Sequence, residues 1–185
     1  MVRVSVSGWS EAADLKSDPG SVACPASPRP TSWGAGQQFK AQFRLAWSAA
    51  VRSSSYTAIR FERRDDDTVW YAVYEDGDED GVRSADIDSG RDRLVSGPFP
   101  LSGGAPGVRV GINPGIPALP PERGELSGDP VRFGSSDILS FSPMGTATPG
   151  TFYLAGDAGQ AAVRVTGGSA RVRLMVWRGG RWRER

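Results

Sequence analysis

Ile138-Leu139-Ser140-Phe141-Ser142-Pro143-Met144-Gly145-Thr146-Ala147 is the stretch on which the fold turns. Its first four residues are apolar and β-prone, and Ile138 and Phe141 are expected to anchor a strand in the core. Pro143 fixes the backbone of the turn that follows, and Gly145 can take the positive φ that a type II turn requires. The Gly150-Thr151-Phe152-Tyr153-Leu154 run after it predicts a second strand.

Strands continue on both sides of this stretch. Gly150 to Ala155, Ala161 to Thr166 and Ala170 to Trp177 read as three strands, with glycines at 156–159 and 167–168 supplying tight turns. Gly107 to Gly111 predicts another. The rest of 92–134 reads mostly as loop, and Pro114 to Pro130 reads as a surface insertion because Pro and Gly crowd it. Further upstream, Tyr56 to Phe61 and Val69 to Tyr74 predict an antiparallel hairpin across a charged turn, Arg63 to Thr68. An acidic loop, Glu75 to Gly81, follows it.

One helix precedes these strands. From Gln37 to Ser54, residues Phe39, Phe43, Ala46 or Trp47, and Ala50 with Val51 recur at helical spacing as one apolar stripe. Trp47, Trp70 and the phenylalanines are expected in the core. Met1 to Val6 has the alternation of a short strand, and Asp18 to Gly36 has the composition of a linker. The expected organisation is therefore a flexible linker or altered N-terminus at 1–36, one domain at 37–177 and a basic tail at 178–185. The fold class is α+β, with one N-terminal helix packed on antiparallel β-sheet.

Composition removes several kinds of chemistry. The chain of 185 residues has no histidine, so the usual general base and the Ser-His and Cys-His pairs are missing. Its one cysteine, Cys24, can form neither an intrachain disulfide nor a thiolate zinc cluster. A net charge of +1 gives no global field toward nucleic acid, although acidic residues crowd 65–92 and arginines crowd 164–185. No P-loop, dinucleotide fingerprint or G-x-S-x-G elbow is present. Carboxylate pairs alone would suit glycoside hydrolysis, but no pair is marked as lying in a cleft. No catalytic residue is assigned.

Ile138 to Ala147 resembles the I-x-F-x-P-x-G-x-A signature of the GspH/FimT-like pseudopilin domain, with Ile138, Phe141, Pro143 and Gly145 as its structural motif, and Gly150 to Leu154 continues it. Ala46-Trp47-Ser48-Ala49-Ala50 resembles the family's small-residue helix end without its Arg and Glu. Trp70 and the loop Asp76-Gly77-Asp78-Glu79-Asp80-Gly81 match later features in order. The resemblance implies a pseudopilin-like globular head without catalysis, a minor subunit of the type II secretion pseudopilus in the bacterial cell envelope. Its partners would be other pseudopilins or pilins, and secreted cargo. The leader and apolar helix typical of the family are not seen near Met1, so membrane attachment is expected only through a helix that this sequence does not show. The alternative is a type IV pilus minor pilin that takes up DNA.

Two sets of site residues follow. Asp76, Asp78 and Asp80 match the opening of a calcium loop, where oxygens at alternate positions converge on one cation. The twelfth position is Ile87 rather than an acid, so a solvated acidic loop is the competing reading, and apart from calcium no cofactor is expected. Arg171 and Arg173, with Arg178 and Arg181, are DNA-binding candidates, because the family resemblance implies a C-terminal G-R-x-R motif and arginines near tryptophans suit phosphate and base contacts. The competing reading is a strand's solvent face followed by a frayed tail. Asp65-Asp66-Asp67 reads as a solvated hairpin tip.

Overall fold

A computed structural model describes residues 31–66, 68–101, 107–157 and 159–185. Cys24, the short strand expected over Met1 to Val6 and most of the expected linker lie outside these residues. Helix α1 spans Ser32–Ser53. It starts earlier than the Gln37 boundary expected from periodicity, because Thr31 caps it by accepting a hydrogen bond from the Gly34 N–H at 3.2 Å. Gly36, which reads as linker, is helical for a tertiary reason. A Cβ there would lie 2.5 Å from Leu174 Cδ1, so any other residue would have to displace the buried Leu174 side chain for the helix to come this close to the sheet.

The strands form two antiparallel sheets. In the first, β1 (Thr57–Arg63) and β2 (Val69–Glu75) make the expected hairpin, with Thr57 opposite Glu75 and Arg63 opposite Val69. On the far side of β2 lies β3 (Arg93–Pro100), and β6 (Ile138–Phe141) pairs with β1, giving the order β3-β2-β1-β6. The strand β3 corrects the expectation of loop after Asp92. Pro98 and Pro100 argue against a central strand, but β3 is an edge strand, where a missing N–H costs little. Gly97 takes φ +104, and a Cβ there would lie 3.0 Å from Ala72 Cα, where the β2–β3 register shifts. The short helix α2 (Ser84–Ser89) connects β2 to β3.

The second sheet contains β4 (Val108–Val110), β7 (Gly150–Gly156), β8 (Gly159–Val165), β9 (Val172–Arg178) and β10 (Arg181–Glu184) in the order β10-β9-β8-β7-β4. β5 (Val131–Arg132) also pairs with β7. The stretch expected as a basic tail is thus largely β10, which folds back so that Arg181 faces Arg178 and Glu184 faces Met175. Gly179 and Gly180, both at positive φ, make the return possible.

The main core lies between α1 and both sheets. Its centre is aromatic. Phe39 meets Phe152 and Tyr71 edge-on at 5.3 and 5.9 Å, and Phe43 meets Phe61 and Phe133 at 6.2 and 6.1 Å. Phe61 stacks on Phe133 at 5.5 Å and on Phe152 at 5.9 Å. The tryptophans depart from expectation. Trp47 is 38% exposed, and Trp70 is half-buried under the Arg64 guanidinium, 3.6 Å from its ring centroid. Trp47 sits at the rim of the helix stripe, where Ala46 and Ala50 take the buried positions instead.

Each sheet's outer face is also covered. Ile138 and Phe141, three apart in β6, face opposite ways. Phe141 enters the main core, and Ile138 packs with Ala58 and Val82 beneath Tyr56, Tyr74 and Ile87. The turn after β6 is closed by Gly145 N–H to Ser142 O at 3.0 Å, with Pro143 and Met144 at its centre. Gly145 has φ +82 as expected, but at the last turn position, so this is not a type II turn, which would need positive φ at Met144.

The segment 114–130 has no regular strand, yet it buries Leu119 and Leu126 against Tyr153 and Ala162 on the outer face of the second sheet. Glu122 holds it there, accepting from Arg132 at 3.2 Å and Arg164 at 3.1 Å. The fully buried Gln160 secures its start, donating to Gly111 O at 2.9 Å and accepting from Asn113 N–H at 2.8 Å.

Phe61→Ala is expected to lower unfolding stability by about 3–5 kcal/mol, since it opens a cavity where rings from three elements meet. Trp70→Ala, by contrast, should cost about 1 kcal/mol, the scale of a partly exposed cation–π contact. Urea unfolding followed by fluorescence and circular dichroism separates the two.

Candidate assembly surface

Helix α1 carries two stripes. Gly36, Phe39, Phe43, Ala46 and Ala50 form the buried one. Trp33, Gln37, Lys40, Arg44, Trp47 and Val51 recur at the same three-and-four spacing about a quarter-turn away. Trp33 is 48% exposed and Val51 42%, and neighbouring Leu45 is 61% exposed. Single exposed apolar residues are ordinary, but an aligned row ending in two tryptophans and a valine along one helix is a contact surface in waiting. The signature turn supports this row, because the Trp47 indole N–H donates to Gly145 O at 3.4 Å. Met144, at the tip of the same turn, is fully solvent-facing.

The four C-terminal arginines are not brought together. Arg171 and Arg173 share Glu184, at 3.3 and 4.0 Å. Arg178 and Arg181 flank the β9–β10 turn at the other end of the hairpin. At the usual rise of a strand the two pairs are roughly 20 Å apart. Glu184 looks remote from Arg171 in sequence and becomes its partner only because β10 folds back.

The acidic loop is tightly organised. Asp76, Asp78 and Asp80 each place one carboxylate oxygen within 4.8 Å of the others. Asp76 is largely occupied with its own loop. Its Oδ1 accepts from the N–H groups of Asp78 (3.2 Å) and Glu79 (3.0 Å), and its Oδ2 accepts from Gly81 (2.9 Å). Asp80 pairs with Arg83, and Asp78 lies 3.9 Å from Arg91. Desolvation, followed by the like charge of Asp80, pushes the Asp78 carboxyl above its ordinary value.

At the base of the loop the buried Asp92 accepts from the N–H groups of Gly77 at 3.3 Å and Arg83 at 3.1 Å. Gly77 is required there, since a Cβ would fall 2.0 Å from Arg91 O. The role of Asp92 has no signature in sequence beyond its place in an acidic run. At the other hairpin, Asp66 accepts from the N–H and hydroxyl of Thr68, a solvated turn as expected, while Asp67 lies outside the described residues.

Removing the Asp92 carboxylate should take the partner from two part-buried N–H groups, at a cost of about 1 kcal/mol. Asp92→Ala is therefore expected to speed amide hydrogen exchange at Gly77 and Arg83 while leaving exchange in β7 and β8 unchanged.

None of the helices among the described residues is long and apolar enough to cross a membrane. No curated protein and no solved structure matches the chain. The family model for type II transport protein GspH matches residues 35–170, from the first turns of α1 to the residue before Arg171. The match covers the helix, the β1–β2 hairpin, the acidic loop and the Ile138–Ala147 turn in one continuous span, so the chain belongs to the GspH family of type II secretion pseudopilins.

Proposed function

We propose that this chain supplies the globular head of a minor pseudopilin, placed in the periplasm, and that its work is contact between subunits rather than catalysis. The observation that carries this reading is the second stripe of α1. A helix already packed on both sheets has no folding reason to keep Trp33, Trp47 and Val51 in line in water. A neighbouring subunit packed against the row would remove them from solvent, with the edge-on or stacked ring geometry that aromatic side chains favour.

A Trp33→Ala/Val51→Asp variant is expected to reduce type II secretion at least tenfold in the native host, with melting temperature close to wild type because both side chains are exposed. Secretion at the wild-type level would remove the stripe from the assembly surface.

The DNA-uptake alternative has less support. Glu184 already neutralises part of the charge on Arg171 and Arg173, and Arg178 and Arg181 sit at the far end of the hairpin.

Calcium at the acidic loop is proposed as a second feature, supported by the convergence of the Asp76, Asp78 and Asp80 oxygens and by the repulsion that a divalent cation would relieve. Against it stand Arg83 and Arg91, which already face Asp80 and Asp78. The reading requires millimolar calcium to raise the melting temperature of the wild type and not that of Asp78→Ala. An unchanged wild-type melting curve would retire it.

A further inference from the structure

We infer that the groove between α1 and the start of β9 receives the acidic loop of a second copy of this chain. The contact takes its location from the reading of α1 as an assembly surface and names the partner for one part of it.

The groove encloses about 480 Å³, room for a few side chains. Lys40, Arg44 and Trp47 of α1 form one wall, and the segment from Ser169 to Val172 forms the other, with Glu184 at its edge. Three cations thus face one carboxylate. Arg44 has no carboxylate partner among the described residues, and Lys40 has no side-chain carboxylate partner among them, donating instead to a main-chain oxygen of Arg185 at 3.1 Å. Arg44 and Lys40 are one turn apart, so their charges project together.

The chain carries a matching knob. Asp78, Glu79 and Asp80 are exposed at the tip of a loop whose base is fixed by Asp76 and Asp92. Glu79 stands at the apex with φ +67 and has no cation partner among the described residues. Because the loop is already ordered, docking it costs little conformational entropy. Lys40 and Arg44 would supply the countercharge that Arg83 and Arg91 leave incomplete, and the Trp47 face would cover the contact from water, strengthening it.

Loop and groove belong to different parts of the fold. The loop leaves β2 of the first sheet, and the groove is lined only by α1 and by residues at the start of β9 and in β10. A contact between two unlike patches is heterologous, and repeating it generates an open chain unless rotation closes it. That is the geometry a filament subunit can use.

Sedimentation velocity on the full chain tests the contact. Wild type is expected to associate with increasing concentration at low salt, and the association should vanish near about 1 M salt, where the screening length falls to about 3 Å. Lys40→Glu/Arg44→Glu and Asp78→Lys/Glu79→Lys are each expected to be monomeric, with circular dichroism spectra like wild type. Mixing the two reversed variants should restore association at least tenfold over either alone, because loop and groove are like-charged within each variant and oppositely charged between them. A wild type that stays monomeric at low salt, or a mixture that does not recover, overturns the contact. So does a groove that retains short duplex DNA without self-association. These failures leave the secretion reading standing, since that rests on the Trp33 and Val51 variant in the host.

Discussion

Six aromatic rings hold this molecule together. Phe39 and Phe43 on α1 are spaced one helical turn apart, so both point into the space between the sheets. There they meet Phe61 and Tyr71 from the first sheet, and Phe133 and Phe152 from or beside the second. The sheets meet directly where Phe61 stacks on Phe133 and Phe152, and the helix buries its stripe against both of them. Small residues set how closely they approach. Gly36 lets α1 sit on Leu174, and Ala46 and Ala50 keep its later turns flat against the core.

That dense centre leaves the two outer sheet faces to irregular chain. The first sheet is capped by α2 and the acidic loop, through Val82 and Ile87 on Ile138. The second is covered by 112–126, through Leu119 and Leu126 on Tyr153. Both coverings lack a strand ladder along the sheet they cover, and charged side chains fasten them instead. Asp92 holds one, and Glu122 between Arg132 and Arg164 holds the other. The second covering leaves the Tyr153 hydroxyl buried without a hydrogen-bond partner among the described residues, and burial raises its pKa.

The surface features that remain follow from the same arrangement. A helix pressed between sheets along one stripe must show the rest of its circumference to water. In this chain that remainder carries Trp33, Trp47 and Val51 in line with Gln37, Lys40 and Arg44, so apolar side chains stand among the charged and amide residues of its solvent face. The Ile138–Ala147 turn, which marks the family in sequence, touches this surface directly through Gly145 and Trp47. The conformation of one turn is therefore linked to the position of the Trp47 ring on this face.

Periodicity alone determined much of the fold. The helix stripe, the β1–β2 hairpin and the strands β4, β6, β7, β8 and β9 are all legible, because each buries a face whose repeat matches its backbone. The order of these elements, with the motif at Ile138 to Ala147, was enough to identify the family. Tertiary structure decided what local pattern cannot encode. β3 forms despite its prolines because a neighbouring strand is available on one side only. Residues 181–184 form β10 because two glycines turn them back onto β9. The first turns of α1 form because Thr31 caps them and Gly36 leaves room for Leu174. Among the candidate site residues, the aspartates converge as their local spacing implied, since a short loop fixes its own geometry. The arginines do not converge, because a hairpin places one pair at each end and gives Glu184 to the first.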